Sequence, residues 1–287
     1  MDDPLAPRET LALSLGGRAV AEYVWRPRLP DVMAPRPFLH PVRTMAGTCL
    51  TAVMPEDHRH HLGVSVAVPE AGGANFWGGR TFVRGRGSVL LPNHGVQRHH
   101  RWLDRSDSSL AHLLRWTGPD GTDLLRERRS IAARPVSDTA WLLDFDFELT
   151  NLTPAPLAVS SPAVNGRPGA GYGGFFWRVK RTGHPVRVIG PGGRGGEDLH
   201  GARAPWIALA SALAPAWTLV FVAVGHDDRW FVRSGDYVGV GSSLAWDAPL
   251  IAGLGSGPRR RIITVVADGL LEPERIDALA ARLRAAS

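Results

Sequence analysis

Apolar and polar positions alternate along much of this chain with a period of two. Asp144, Asp146 and Glu148 alternate with Phe145, Phe147 and Leu149, which gives a strand with one packed face and one polar face. Further strand-like runs fall at 62–68, 81–83, 88–91, 110–116, 129–133, 141–150, 155–160, 175–181, 186–189, 206–210, 217–224, 231–233 and 261–266. Residues 11–15, Gly16-Gly17 and residues 18–25 read as a hairpin closed by a glycine turn, and the proline-punctuated stretch 27–37 as a loop. Helical spacing emerges at the C-terminus. There Pro273, flanked by Glu272 and Glu274, precedes Ile276, Leu279, Ala280 and Leu283. The expected fold is all-β. It is one large antiparallel β-sandwich domain over 1–287, with an N-terminal hairpin and loop (1–34) and a short C-terminal helix (272–286).

The run 204–225 carries no charge and has the length of a membrane span. Pro205 and Pro215 interrupt it, and 217–224 is dense in β-branched and aromatic residues. Two buried strands joined by a tight connection are expected, and no membrane segment.

Composition narrows the function classes. Gly 33 and Pro 23 in 287 residues suit many turns, and 44% hydrophobic content is enough for a core. A single cysteine, Cys49, excludes a disulfide framework and all-thiolate metal sites, and its neighbours read as a strand interior. The opening MDDPLAPRET lacks the pattern of a secretory leader, so a cytoplasmic protein is expected. The net charge of +6 comes almost wholly from arginines, Lys180 being the only lysine. They are dispersed rather than gathered into a stripe with stacking aromatics, so no nucleic-acid partner is expected.

Candidate chemistry centres on histidine. Asp57-His58-Arg59-His60-His61-Leu62-Gly63 sets three imidazoles in four residues just before an apolar strand. Imidazole can bind metal, shuttle protons or hydrogen-bond sugar hydroxyls, and the bland alternative is polar residues at a strand end. A His-x-His pair with a third ligand from His40, His94 or Glu127 leaves a divalent metal open, with no ligand set defined. Glu127 among Arg126, Arg128 and Arg129 is either a salt-bridged surface carboxylate or a general base held ionised by guanidinium groups. The segment Gly166-Arg167-Pro168-Gly169-Ala170-Gly171-Tyr172-Gly173-Gly174 lacks the Gly-Lys-Ser/Thr ending of a phosphate loop and reads as a cleft rim packed by Tyr172, with Arg178 on the following strand. Trp77, Trp177 and Trp206 could be platforms for sugar rings, although most tryptophans serve the core. No Gly-x-Ser-x-Gly elbow is present.

Six ordered motifs carry a family resemblance. They are Pro37-Phe38-Leu39-His40-Pro41, the Asp57–Gly63 stretch, Asn75-Phe76-Trp77-Gly78-Gly79, Tyr172-Gly173-Gly174-Phe175-Phe176-Trp177-Arg178, Ala204-Pro205-Trp206 and Arg229-Trp230-Phe231-Val232-Arg233. From about Pro35 to Ala267 the chain resembles the bacterial PmoA-like family, labelled "methane oxygenase PmoA". The family's usual Asn-Pro-x-His stretch stands here as Gly225-His226-Asp227-Asp228, which leaves the role of His226 open. The resemblance implies kinship with galactose-mutarotase-like supersandwiches and a place in carbohydrate metabolism.

A carbohydrate-active enzyme is therefore expected, a lyase, hydrolase or epimerase on a sugar or keto-sugar glycoside. His58, His60, His61 and Glu127 are its expected catalytic groups, and His40, Trp77, His94, Tyr172, Arg178, Trp206, His226 and Arg233 its substrate contacts. The alternatives are a metal-dependent enzyme or oxygenase at the histidines, and a non-catalytic sugar-binding or accessory protein. The expected partner is a small-molecule carbohydrate, with a homodimer left open.

Overall fold

The structure is a computed structural model that describes residues 9–181, 183 and 185–285. The expected hairpin and helix are therefore seen without residues 1–8 and 286. In chain order the strands are β1 (Glu9–Leu15), β2 (Arg18–Arg26), β3 (Phe38–Val42), β4 (Val64–Ala67), β5 (Glu70–Ala71), β6 (Thr81–Val83) and β7 (Gly87–Val89). Next come β8 (Val96–Arg105), β9 (Ser109–Thr117), β10 (Asp123–Ser137), β11 (Ala140–Asn151), β12 (Leu157–Ser160), β13 (Gly174–Arg178) and β14 (Arg187–Ile189). The last are β15 (Trp206–Ser211), β16 (Trp217–Val224), β17 (Arg229–Arg233), β18 (Gly239–Ser243), β19 (Leu250–Ala252) and β20 (Arg259–Asp268), before the helix α1 (Pro273–Ala285).

Two large antiparallel sheets form the sandwich. One runs β1-β2-β3-β4-β13-β18-β17 and the other β14-β15-β16-β20-β11-β10-β9-β8. Their inner faces meet in one apolar core. Phe145 of β11 packs edge-on to Phe175 of β13 at 5.4 Å, and Trp177 meets Phe221 of β16 at 5.5 Å. Two small sheets, β19-β12-β5 and β6-β7, accompany them. The all-β sandwich with a C-terminal helix is thus the fold of this chain.

The uncharged run 204–225 is the antiparallel pair β15 and β16, in register from Trp206↔Val222 to Ser211↔Trp217. Both faces of these strands are buried, because α1 lays Ile276 and Ala280 over Trp206, Val220 and Val222 on the outside of the sheet. Among the described residues no helix is long and apolar enough to cross a membrane. The polar face of β11 is ion-paired to the next strand, since Asp144 accepts from Arg261 and Asp146 from Arg259. Cys49 departs from expectation. It lies outside the named strands, half-buried, in an isolated bridge to Arg43, because glycine and threonine around it turn the chain.

Alternation also decides what the outer face of the seven-stranded sheet carries. In β13, Phe175 and Trp177 enter the core, so Phe176 and Arg178 face out. In β17, Trp230 and Val232 enter the core and Phe231 and Arg233 face out. Between them, β18 presents Gly239 and Gly241. A Cβ on Gly239 would lie 3.0 Å from the Phe176 ring, so the absent side chains make the floor on which that ring lies.

Candidate functional site

The aromatic chamber on this outer floor is a cluster of packed side chains. Trp77, Phe176 and Phe231 form its buried wall, and Tyr172, Tyr237 and Trp246 pack against them. Tyr172 meets Trp77 at 4.6 Å and Phe231 at 5.5 Å. Into it comes the histidine loop. His61 is buried, edge-on to Phe176 at 5.0 Å and to Trp77 at 5.6 Å, while His58 stacks on His61 at 4.5 Å with 17° between the planes. His60 completes the trio at 4.9 Å from His61 and packs on the Gly78-Gly79 turn, where an added Cβ would come within 2.8–2.9 Å of it.

The loop is held from below by Arg36. This guanidinium is buried and, among the described residues, donates only to neutral oxygens: the carbonyls of Met33, Ala34, His60 and Trp77, and the Ser65 hydroxyl. Burial, helped by the charge on Arg129, lowers its pKa to about 9, so it remains a cation at neutral pH. The Trp77 turn is fixed from its other side by Asn75, whose Oδ1 accepts from the backbone N–H of Trp77 and Gly78.

Arg178 and Asp57 set the tautomers. A guanidinium can only donate, so Arg178 Nη1 at 3.2 Å from His61 Nδ1 makes that nitrogen an acceptor and places the ring proton on Nε2. Arg178 Nη2 donates to both oxygens of Asp57 at 2.9 and 2.7 Å, and the carboxylate also accepts from His58 Nδ1 at 3.0 Å. His58 is thereby protonated on Nδ1, and the lone pair of the neutral ring is on Nε2. Two stacked imidazoles carry opposite polarity: His58 offers an acceptor and His61 a donor. Partial burial opposes ionisation of Asp57, but the hydrogen bonds from Arg178 and His58 hold it below the usual carboxylate range.

Burial, reinforced by neighbouring histidines and by Arg36 and Arg178, holds His61 well below its ordinary value and His60 at about 3. Burial also raises Tyr237 to about 12 and Tyr172 above its ordinary value, so both phenols stay protonated. In the core, His112 is likewise lowered to about 2, chiefly by burial. These depressed histidines bind fewer protons folded than unfolded, so stability is full above about pH 6.5 and falls as pH drops from there towards 3. Each adds a slope of about 1.4 kcal/mol per pH unit inside that window. Urea unfolding at pH 7 and pH 5 should show the loss, and equal midpoints would contradict the neutral assignment.

Of the expected site residues, the chamber gathers His58, His60, His61, Trp77, Tyr172 and Arg178. Arg233 stands at its rim over the Phe231 ring at 4.7 Å, bonded to His200 and to the carbonyl of Gly169. His94 lies behind His60 and bonds the Gly79 carbonyl at 2.7 Å. His40 bonds Thr51 at 2.9 Å and lines a neighbouring open groove of about 910 Å3, which shares Asp57 and Arg178 with the chamber.

Three expectations are corrected. Glu127 is fully buried between the two sheets, bonded to Arg129 at 2.6 and 2.9 Å and to Trp116 at 2.9 Å, because period two in β10 puts it on the same inward face as Leu125 and Ile131. It is neither a surface carboxylate nor a base in the chamber. Trp206 lies under α1 on the far sheet and donates to Asp277 at 2.8 Å. His226 bonds the Arg261 carbonyl near the start of β20 and faces Asp228 at 3.5 Å. The sequence did not single out Arg36, Asp57, Phe176, Tyr237, His200 or Trp246. Asp57 and Phe176 lie inside quoted motifs, whereas Arg36 shows no local signal beyond its flanking prolines.

Among the described residues no group of three His, Cys, Asp or Glu side chains is arranged to hold a metal ion. The chamber histidines fit one poorly, because His61 Nδ1 already faces a cation in Arg178.

Comparison with known proteins places the chain by sequence more than by shape. Heparan sulfate lyase HepC from Pedobacter heparinus, and a mutant of it, each align at 12% identity and a TM-score of 0.25, over 62% of this chain and 22% of theirs. The chain thus spans about a fifth of those enzymes, and the likeness carries nothing about its chemistry. No curated protein matches. One family pattern covers nearly the whole chain, residues 10–281, and on that match the protein belongs to the family of unknown function DUF6807.

Proposed function

We propose that the chamber is the active site of a carbohydrate-active enzyme that removes a proton next to a carbonyl, a lyase or an epimerase of a keto-sugar or sugar acid. The opposite polarity of the stacked His58 and His61 carries this reading. Nε2 of His58 takes the proton, the C–H electron pair becomes an enolate, and the Nε2–H of His61 hydrogen-bonds the developing oxyanion. A strongly depressed imidazole is a poor base but a good neutral donor at neutral pH. In an epimerase the enolate turns over and the protonated His58 returns its proton to the other face; in a lyase the C–O electron pair leaves with the group on the β-carbon, and that group takes the proton from His58.

Charge favours this chemistry over hydrolysis. Among the described residues Arg36 and Arg233 have no carboxylate partner, and Asp57 is already engaged by Arg178 and His58. An anionic enolate gains in such a field, while the cationic transition state of glycoside hydrolysis loses and would need two well-placed carboxylates. Trp77, Tyr172 and Tyr237 suit the apolar faces of a sugar ring. Kinship with PmoA-like proteins is part of the same proposal and names relatives, not a reaction.

Incubation in deuterated water with a panel of 3-keto-glycosides and hexuronates tests the reading. Deuterium should enter at the carbon beside the carbonyl of one panel member, seen as a lost proton signal. Binding without exchange would make the protein a sugar-binding accessory, and an inert panel would remove the proposed reaction.

A further inference from the structure

A second site lies outside the chamber. We infer that the cleft between the end of β2 and the start of β8 binds a small organic anion, a carboxylate or phosphate borne on a ring-sized body. The cleft has a volume of about 340 Å3, at the small end of ligand pockets, and Trp25 and Pro35 give it apolar walls. Arg26, Arg28 and Arg98 stand on its lining against one carboxylate, Asp31. Arg26 is paired with Glu9, but Arg28 and Arg98 make no ion pair among the described residues.

A buried hydrogen-bond chain ends in this cleft, and one direction along it gives every proton an acceptor up to His99. Arg129 can only donate, so the Tyr23 hydroxyl accepts from it at 3.0 Å and gives its own proton to His112 Nε2 at 2.8 Å. His112 must then carry its proton on Nδ1 and donate to His99 Nδ1 at 3.0 Å. The remaining proton of His99 is on Nε2, which has no partner among the described residues. Its ring is braced by Trp25 at 4.8 Å and Trp102 at 4.5 Å. A ring donor whose tautomer is set by the buried Glu127–Arg129 pair thus lines the same cleft as Arg28 and Arg98. Such a set recognises an anion.

Calorimetric titration with glucose 6-phosphate and gluconate, each against glucose, tests this. Both anions should bind saturably at millimolar concentrations and glucose should not. Affinity should fall about tenfold in Arg98→Ala and in Arg28→Ala, exposed positions outside the core network, and stay unchanged in His61→Ala. In a 15N-labelled sample the His99 Nε2 resonance should move on titration. The inference is overturned if neither anion binds, or if binding survives both arginine variants and is lost in His61→Ala, which would place the anion in the chamber. The outcome is independent of the proton-transfer reading, because no turnover is measured.

Discussion

Glu127→Ala should lower the unfolding free energy by about 3–5 kcal/mol, the cost of leaving a buried charge without its partner. The Arg129 side chain has no solvent exposure, and its bonds to Tyr23, Gln97 and the Pro37 carbonyl are all to neutral groups. Without the carboxylate its positive charge has nothing nearby to balance it. The double variant Glu127→Leu with Arg129→Met, which removes both charges, should recover most of that loss, as buried pairs replaced together often cost little. Chemical denaturation of the three proteins at pH 7 measures both effects. Activity per folded molecule should be nearly unchanged in Glu127→Ala, since the whole seven-stranded sheet separates it from His61. Wild-type stability combined with lost turnover would restore the carboxylate to the catalytic role that the sequence suggested.

That residue shows where sequence reading succeeds and where it stops. The ionic partner was legible, because Arg129 stands two positions away and two positions in a strand share a face. The inward direction of that face was marked by Leu125 and Ile131, yet the three flanking arginines suggested a surface. Tyr23, Gln97 and His112, which complete the network, come from other strands that no local pattern connects. Trp206 failed differently. Its strand is apolar on both faces because a helix covers the outside, so no alternation could tell the site face from the far one. The edge strand β8 has a polar, mostly exposed face on both sides, and its Arg- and His-rich sequence carries no strand signature. By contrast the hairpin at Gly16-Gly17, the pair β15–β16 and the trio His58, His60 and His61 were readable, since each rests on contiguous residues.

His61→Ala and His58→Ala should each reduce proton exchange on the productive substrate about 10²–10³-fold, the range for losing a preorganised donor or a general base. If the two serve the same proton-transfer step, one as base and the other at the oxyanion, the double variant should be little slower than the worse single one, because a base without its electrophile has almost no catalysis left to lose. Positioning is separable from contact. Arg178 and Asp57 act through the imidazoles, so Asp57→Asn should slow exchange and also change which nitrogen of His58 is protonated, a difference that 15N shifts report without substrate. In the wild type those shifts should show His58 protonated on Nδ1 and His61 on Nε2. Arg178→Lys keeps the charge but loses the forked geometry, and should abolish the His61 preference while leaving the sandwich folded. Two stacked imidazoles with the same tautomer would remove the opposite polarity on which the reading rests, and full exchange in either alanine variant would take that imidazole out of the chemistry.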